Sequence, residues 1–460
     1  MMRNGFIFSA AFTLFAQTAI AAPDCPAPEP TTEADRIYAL SKIWKIADRD
    51  FAWFHQVPDL DWDAEYLRHL PMVRDAETEL EYFRALQSFI TALQDGHTNL
   101  NPTPSLRRGC VLDAPPIRLT PFGAGIYVTN IDSELADTVP VGSQVVSVDG
   151  EDIEAKIERD VLPYLATSSP HVRREYAAGG RSYWLLGPLF GSVGTTARIG
   201  IVTPNGENRV ISVKRNRYSE GGIDWVRTRN DPAGEGSVHL SWDRDIAILS
   251  LNSFSDDTVP EQFDALLPEI RRAKGLIIDV SRNGGGSTAI GGHVMRRFIN
   301  APAPGSRWMT PKHVSAFKVW GEGGLEGYAE WASPMWETGE HNTLTPLDVA
   351  DRLIVPIAIV TSKWTASAAE DFMVFAKSQP HMVQIGEATF GSTGQPVHFE
   401  LPGGLSARVS AKRDTLPDGT DFVGTGVIPD IAVSPDLDDV LNNRDPALDR
   451  AIENVRGRIE

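Results

Sequence analysis

Val355-Pro-Ile-Ala-Ile-Val-Thr361, followed after three intervening residues by Thr365-Ala-Ser367-Ala-Ala-Glu370, reads as an apolar strand that turns into a helix. A serine hydroxyl at such a turn points out from the sheet edge. The free N–H groups of the helix's first turn lie beside it and can hold the negative charge that develops when an acyl carbonyl is attacked. The same residues allow a plainer reading. Ser367-x-x-Glu370 is also a capping box, in which the serine only starts the helix. The rest of the chain decides between the two.

Around this turn, strand-like and helix-like runs alternate. The strands are Ile246 to Leu251, Gly275 to Val280, Val355 to Thr361 and Met382 to Gly386. The helices are Glu261 to Ala273, Ala289 to Ile299 and Ala368 to Ser378. That alternation predicts an α/β unit with a central sheet. Val397 to Glu400 and Ala407 to Lys412 read as a hairpin around Pro402-Gly-Gly404, and a polar C-terminal helix is expected from Asp436. Upstream, Ile37, Leu40, Ile43 and Trp44, then Leu80, Phe83, Leu86 and Phe89, recur at helical spacing. They predict at least three helices, broken at Pro58 and at Leu70-Pro71. Between the two units, short runs such as Gly125-Ile-Tyr-Val-Thr-Asn predict a small β-rich domain.

Met1 to Ala21 has a short n-region with Arg3, an apolar core and a small-x-small end at Ala19-Ile-Ala21, the pattern of a secretory signal. No later apolar run has the length of a membrane span. A soluble exported protein, periplasmic or secreted, is therefore expected. The formal net charge of -18 argues against nucleic acid and anionic lipid as partners. Cys25 and Cys110 are the two cysteines of the chain, and sequence leaves open whether they pair or stay free.

Three further stretches join Ser367. Leu276-Ile-Ile-Asp-Val-Ser-Arg-Asn-Gly284-Gly-Gly286 runs from a buried strand into a glycine turn, where backbone N–H groups can approach a ligand closely. Asp95-Gly-His97-Thr98 places an imidazole in a turn after a helix. Thr389-Phe-Gly-Ser392-Thr-Gly394 is a second glycine-rich loop.

In this order the stretches resemble the C-terminal-processing (tail-specific) serine protease family, and the Asp-Gly-His-Thr motif resembles its tricorn and retinoid-binding-protein-like branch. Pro140-Val-Gly-Ser-Gln-Val-Val-Ser-Val-Asp-Gly150 is similar to a segment of that family's PDZ domain. The resemblance implies a multi-domain α+β fold. Its parts would be a signal peptide (1–21), a helical N-terminal unit (22–110), a divergent PDZ-like domain (111–215), a crotonase/ClpP-like α/β catalytic core (216–435, with an insertion at 303–350) and a C-terminal helix (436–460).

It also implies roles. Ser367 matches the nucleophile, Gly284 and Gly285 the oxyanion-hole turn, and Ala368 the second donor. Where the Ser/Lys branch carries its lysine base, this chain has Ser392, which is assigned to substrate binding. His97 is then the expected base, because imidazole is largely neutral at pH 7. Where the branch carries a glutamate this chain has Val423, and Asp421, two residues earlier on the same strand face, is the candidate orienting group.

The 303–350 insertion holds Trp320 and Trp331 among other aromatics and could form a substrate wall or a small core of its own. No His/Cys/Asp/Glu cluster has metal-ligand spacing, so no metal and no cofactor is expected. The function expected is an exported serine peptidase acting on protein or peptide substrates, without nucleic-acid partners or stable membrane insertion. Two alternatives share the fold: a non-catalytic periplasmic protein binding a peptide or apolar ligand, and an esterase.

Overall fold

The strand Ile357–Thr361 lies inside a six-stranded sheet, fully buried on both faces. The order is Val238–Asp243, Ile246–Leu251, Gly275–Asp279, Ile357–Thr361, Met382–Gly386 and Ile431–Ala432. The first pair is antiparallel and the rest parallel. The computed structural model describes residues 25–179, 185–215, 223–227, 236–339 and 342–459, so the expected signal segment lies outside the described residues.

Because alternate residues of a strand point to opposite faces, each face has its own core. Leu249, Ile278 and Ile359 meet Phe263, Val294 and Phe372 from the helices Val259–Ile270, Thr288–Met295 and Ala368–Lys377. Ile277, Ala358 and Val360 meet Ala447, Ala451 and Val455 on the other face. This explains the continuous apolar strands, since parallel strands covered on both sides have no polar face to show.

The C-terminal segment differs from expectation. It forms two helices, Leu437–Leu441, capped by Asp436, and Pro446–Ile459. The second is a structural layer. Its buried stripe at i, i+4 and i+8 consists mostly of alanine, which leaves a weak hydropathy signal.

The N-terminal helices are Glu33–Asp50, Trp62–Arg74 and Glu79–Thr91, the first and third opened by capping boxes at Thr32/Asp35 and Thr78/Glu81. The expected break at Leu70-Pro71 is absent. Pro71 lies in the last turn of its helix and still accepts the N–H of Asp75, and the chain breaks instead before Thr78. This helical unit shares its core with the expected hairpin. Leu401, Leu405, Ala407 and Val409 pack with Leu40, Leu86 and Phe89, and the strand Asn99–Asn101 pairs antiparallel with Ser406–Ser410 of the hairpin. The loop that carries His97 is therefore fastened directly to this hairpin.

The β-rich unit is an antiparallel sheet around Gly125–Asp132, with Ile117–Phe122, Gln144–Val148, Thr196–Val202 and Asn208–Lys214. Its core reaches Phe390 and packs against Trp364, next to the Ser367 turn. Cys25 and Cys110 are joined in a disulfide that closes a loop of 85 residues. In the insertion, Arg307–Lys312 pairs antiparallel with both Met335–Gly339 and Arg413–Thr415. The whole is a mixed α/β multi-domain fold. Among the described residues no helix is long and apolar enough to cross a membrane.

Candidate active site

Ser367 sits where the strand Ile357–Thr361 has turned into the helix Ala368–Lys377, with φ 55° and ψ −123°. A positive φ is strained for a residue with a Cβ, costing about 1–3 kcal/mol, and persists only where the surroundings enforce it. Here they do. The Ser367 N–H donates to Glu370 Oε2 (3.0 Å), and the Ser392 carbonyl lies 3.3 Å from the same nitrogen. Glu370 thus reaches back to the helix start as the capping-box reading expected. The serine hydroxyl, however, has a functional neighbour: Ser367 Oγ lies 3.3 Å from His97 Nε2.

On its other side, His97 Nδ1 lies 2.6 Å from Ser392 Oγ. A neutral imidazole donating from Nδ1 to Ser392 keeps the Nε2 lone pair for the Ser367 proton. The turn that carries His97 is braced from below. Asp95 Oδ2 accepts from Thr98 Oγ1 and from Ser410 Oγ, each at 2.6 Å, and Ser410 N–H donates to Thr98 Oγ1 (2.9 Å). Gly96 has no room for a side chain, since a Cβ there would lie 2.8 Å from Ser392 Oγ. Burial lowers His97 to about 4. Asp95 opposes this, and the nearby Arg408 and Lys412 add to it.

Glu370 joins the two loops. It is completely buried, and its oxygens accept from Thr389 Oγ1 (2.5 Å), Gly391 N–H (2.8 Å) and Ser392 N–H (3.2 Å) in addition to Ser367 N–H. Burial raises it to about 8, against the pull of these donors. One buried carboxyl group therefore sets the Ser367 turn and the Ser392 loop in register.

The glycine turn lies against Ser367. A Cβ on Gly285, whose φ is +98°, would meet Ser367 Cβ at 2.7 Å and the Ala368 nitrogen at 3.1 Å. The Gly285 N–H is occupied by Asn283 Oδ1 (3.0 Å), and Asn283 is itself held by the Leu251 carbonyl (2.9 Å). Gly285 therefore contributes closeness rather than a hydrogen bond. Among the described residues the N–H groups of Gly284 and Ala368 have no partner, and both residues line the cleft.

That cleft has a volume of about 860 Å³, and Trp364, Tyr176 and Phe390 form its aromatic wall. Tyr176 and Trp364 stack with ring centroids 5.4 Å apart. Besides Gly285, four residues assigned from sequence need correction. Ser392 is fully buried behind the imidazole and does not line the cleft. Trp320 and Trp331 are not in the cleft wall either: both pack against Phe317, at 5.5 and 5.0 Å, within the insertion. Asp421 is not brought to His97, because Arg413 holds its carboxylate through two hydrogen bonds of 3.0 and 2.6 Å, with His55 3.6 Å away.

Sequence reading missed Asn283, the bridging role of Glu370 and the Trp364 wall. A polar residue directly before the three glycines Gly284 to Gly286 was the available signal for Asn283. A glutamate directed at N–H groups of two loops has none. Among the described residues no group of three or more His, Cys, Asp or Glu side chains converges as a metal site.

Residues 245–433 match peptidase family S41. The chain is 23% identical over 434 residues to the carboxyl-terminal-processing peptidase 2, chloroplastic, of Arabidopsis thaliana, covering 91% of this chain and 72% of that relative. Among solved structures, mature CPAF complexed with lactacystin is similar with a TM-score of 0.69 at 15% identity, over 93% of this chain and 99% of that one. A second structure of mature CPAF gives the same TM-score and identity, over 93% and 98%. At that identity the likeness shows a shared fold and nothing more. The match to peptidase family S41 spans the parallel strands of the sheet, the Ser367 turn and the Ser392 loop, and the protein is a serine-type peptidase.

Proposed function

We propose that the protein is an exported endopeptidase in which Ser367 is the nucleophile, His97 the general base and Ser392 the group that orients the imidazole. The approach of His97 Nε2 to Ser367 Oγ at 3.3 Å, across 270 positions of sequence, carries this reading. Apo distances of this kind shorten when substrate binds. As Ser367 Oγ bonds to the scissile carbonyl carbon, its proton passes to His97 Nε2. The carbonyl π pair moves onto oxygen, where the Gly284 and Ala368 N–H groups receive it. Collapse expels the amine with the proton from Nε2. Water then attacks the acyl-serine by the same route in reverse.

The β-rich unit serves as a PDZ-like domain, and the six-stranded core as the crotonase-like unit, in this reading. Export is supported by the signal-like segment 1–21 and by the Cys25–Cys110 bridge, which suits an oxidising compartment. The binding-protein and esterase alternatives are not favoured. The match to a peptidase family supports peptide hydrolysis, and the nucleophile turn keeps a base within reach although the lysine position is Ser392. Fluorophosphonate labelling tests the reading directly. Label is expected on Ser367 and lost in Ser367→Ala, whereas wild-type protein that stays unlabelled beside a reactive control hydrolase would overturn it.

A further inference from the structure

One wall of the cleft is built from the sheet Asn99–Asn101, Ser406–Ser410, Pro396–Glu400. Asn99, Arg408 and His398 are directly opposed across its three strands, and Arg408 and His398 line the cleft together with Lys412, just beyond the strand end. Arg282 lines the same cleft from the glycine turn. Arg408 is positioned by its Nε donating to Asn99 Oδ1 (3.1 Å), and Lys412 by Asp414 Oδ1 (3.0 Å), a buried carboxylate that does not itself line the cleft. The carboxylate that does is Asp371, and it is held by the hydroxyls of Thr288 (2.6 Å) and Ser306 (2.9 Å).

A chain of net charge −18 should repel acidic peptides at long range. It nevertheless concentrates cations on the wall beside its nucleophile, close enough for Arg408 and Lys412 to disfavour the protonated imidazole. The three-donor ammonium and the forked guanidinium are both suited to a carboxylate arriving in the cleft.

We propose that the Arg408–Lys412–His398 wall is a carboxylate-recognition subsite, which selects peptides carrying a carboxylate close to the scissile bond. The inference rests on the peptidase reading. The carboxylate is that of an Asp or Glu side chain, and recognition of a free C-terminus instead is the competing outcome of the test.

Three peptides of one neutral sequence are compared at low salt: C-amidated, C-amidated with a single Asn→Asp change placed at successive positions around the cut, and with a free C-terminal carboxylate. At least one Asp form is expected to exceed the neutral amide in kcat/KM by about tenfold, the factor that 1.4 kcal/mol of differential binding supplies. A gain with Asp supports the side-chain subsite, and a gain with the free terminus alone overturns it. The advantage is expected to shrink at high salt, and to fall in Arg408→Gln and in Lys412→Gln while Lys312→Gln, on the insertion, retains it. Because Arg408 and Lys412 also anchor neighbours, fluorophosphonate labelling of each variant reports whether the site is still assembled. The salt dependence of the wild type needs no variant. Labelled protein that cuts all three peptides equally, or a preference kept in both variants, overturns the subsite alone. Failure to label or to cut any peptide overturns the peptidase reading and the subsite together.

Discussion

His97 Nδ1 stands 2.6 Å from Ser392 Oγ, so the imidazole is steadied by a residue 295 positions away, in the loop where the Ser/Lys branch of the resembling family carries a lysine. Serine cannot replace lysine as a base near neutral pH. It can fix the tautomer and direction of a histidine that takes over that role. In the proposed reading, the residue that weakens a Ser/Lys mechanism is the one that completes a Ser–His arrangement.

The first prediction follows from this contact. A neutral hydrogen bond is worth about 0.5–1.5 kcal/mol, so Ser392→Ala is expected to lower kcat roughly two- to tenfold with KM little changed. Steady-state kinetics beside a melting curve check it. A parallel change in KM and melting temperature with kcat retained would show that the hydroxyl serves only packing.

The acid limb of the pH profile is the second. His97 must be neutral to accept a proton, and burial holds it near 4 rather than 6.5. Activity is lost as pH falls and His97 gains its proton. The midpoint of kcat/KM is therefore expected near pH 4, with little change from pH 5.5 to 7. A midpoint near 6.5 would falsify the buried, positioned imidazole.

Glu370 supplies the third. Its folded-state value, about 8, lies above the ordinary 4.5, so the native state holds an extra proton between the two. Its contribution to stability is complete below about 4.5 and is lost as pH rises through about 8. In Glu370→Gln this slope disappears. The amide also turns N–H donors toward the N–H groups of Ser367, Gly391 and Ser392, which is expected to lower stability by about 1–3 kcal/mol and to abolish activity. Urea titrations at several pH values measure both effects. An unchanged slope in the variant would assign the pH dependence to another group.

Two tryptophans give the fourth. Trp364 lines the cleft and stacks on Tyr176, whereas Trp320 is 41% exposed in the insertion's own aromatic cluster. Trp364→Ala is expected to reduce kcat/KM by about thirtyfold, the effect of losing an anchor worth about 2 kcal/mol. Trp320→Ala is expected to leave it within about twofold. The reverse ranking, in peptide-cleavage assays of both variants, would return the insertion to the substrate wall.

Much of the architecture was legible because it rests on local patterns. The runs Ile246–Leu251 and Met382–Gly386 are strands with the bounds read from sequence, since apolar segments of five or six residues between turn signals admit few other structures. Pro71 misled, because the cost of a proline depends on where in the helix it falls. The last helix was recognised but its buried alanine stripe was not, since alanine contrasts weakly with polar neighbours in hydropathy.

For the site, sequence by itself determined the chemical parts: a serine at a strand-to-helix turn, a histidine in an Asp-Gly-His-Thr turn, a glycine turn and a second loop ending in Ser392. Each is a short string whose backbone demands are visible within a few residues. Only the tertiary structure decided how they combine. Ser392 faces the imidazole and Asp421 faces Arg413, Glu370 ties two loops together, and Trp364 rather than Trp320 walls the cleft. These pairings join positions far apart in the chain, where the partner of a polar side chain is set by how sheets and helices pack, which no local pattern encodes.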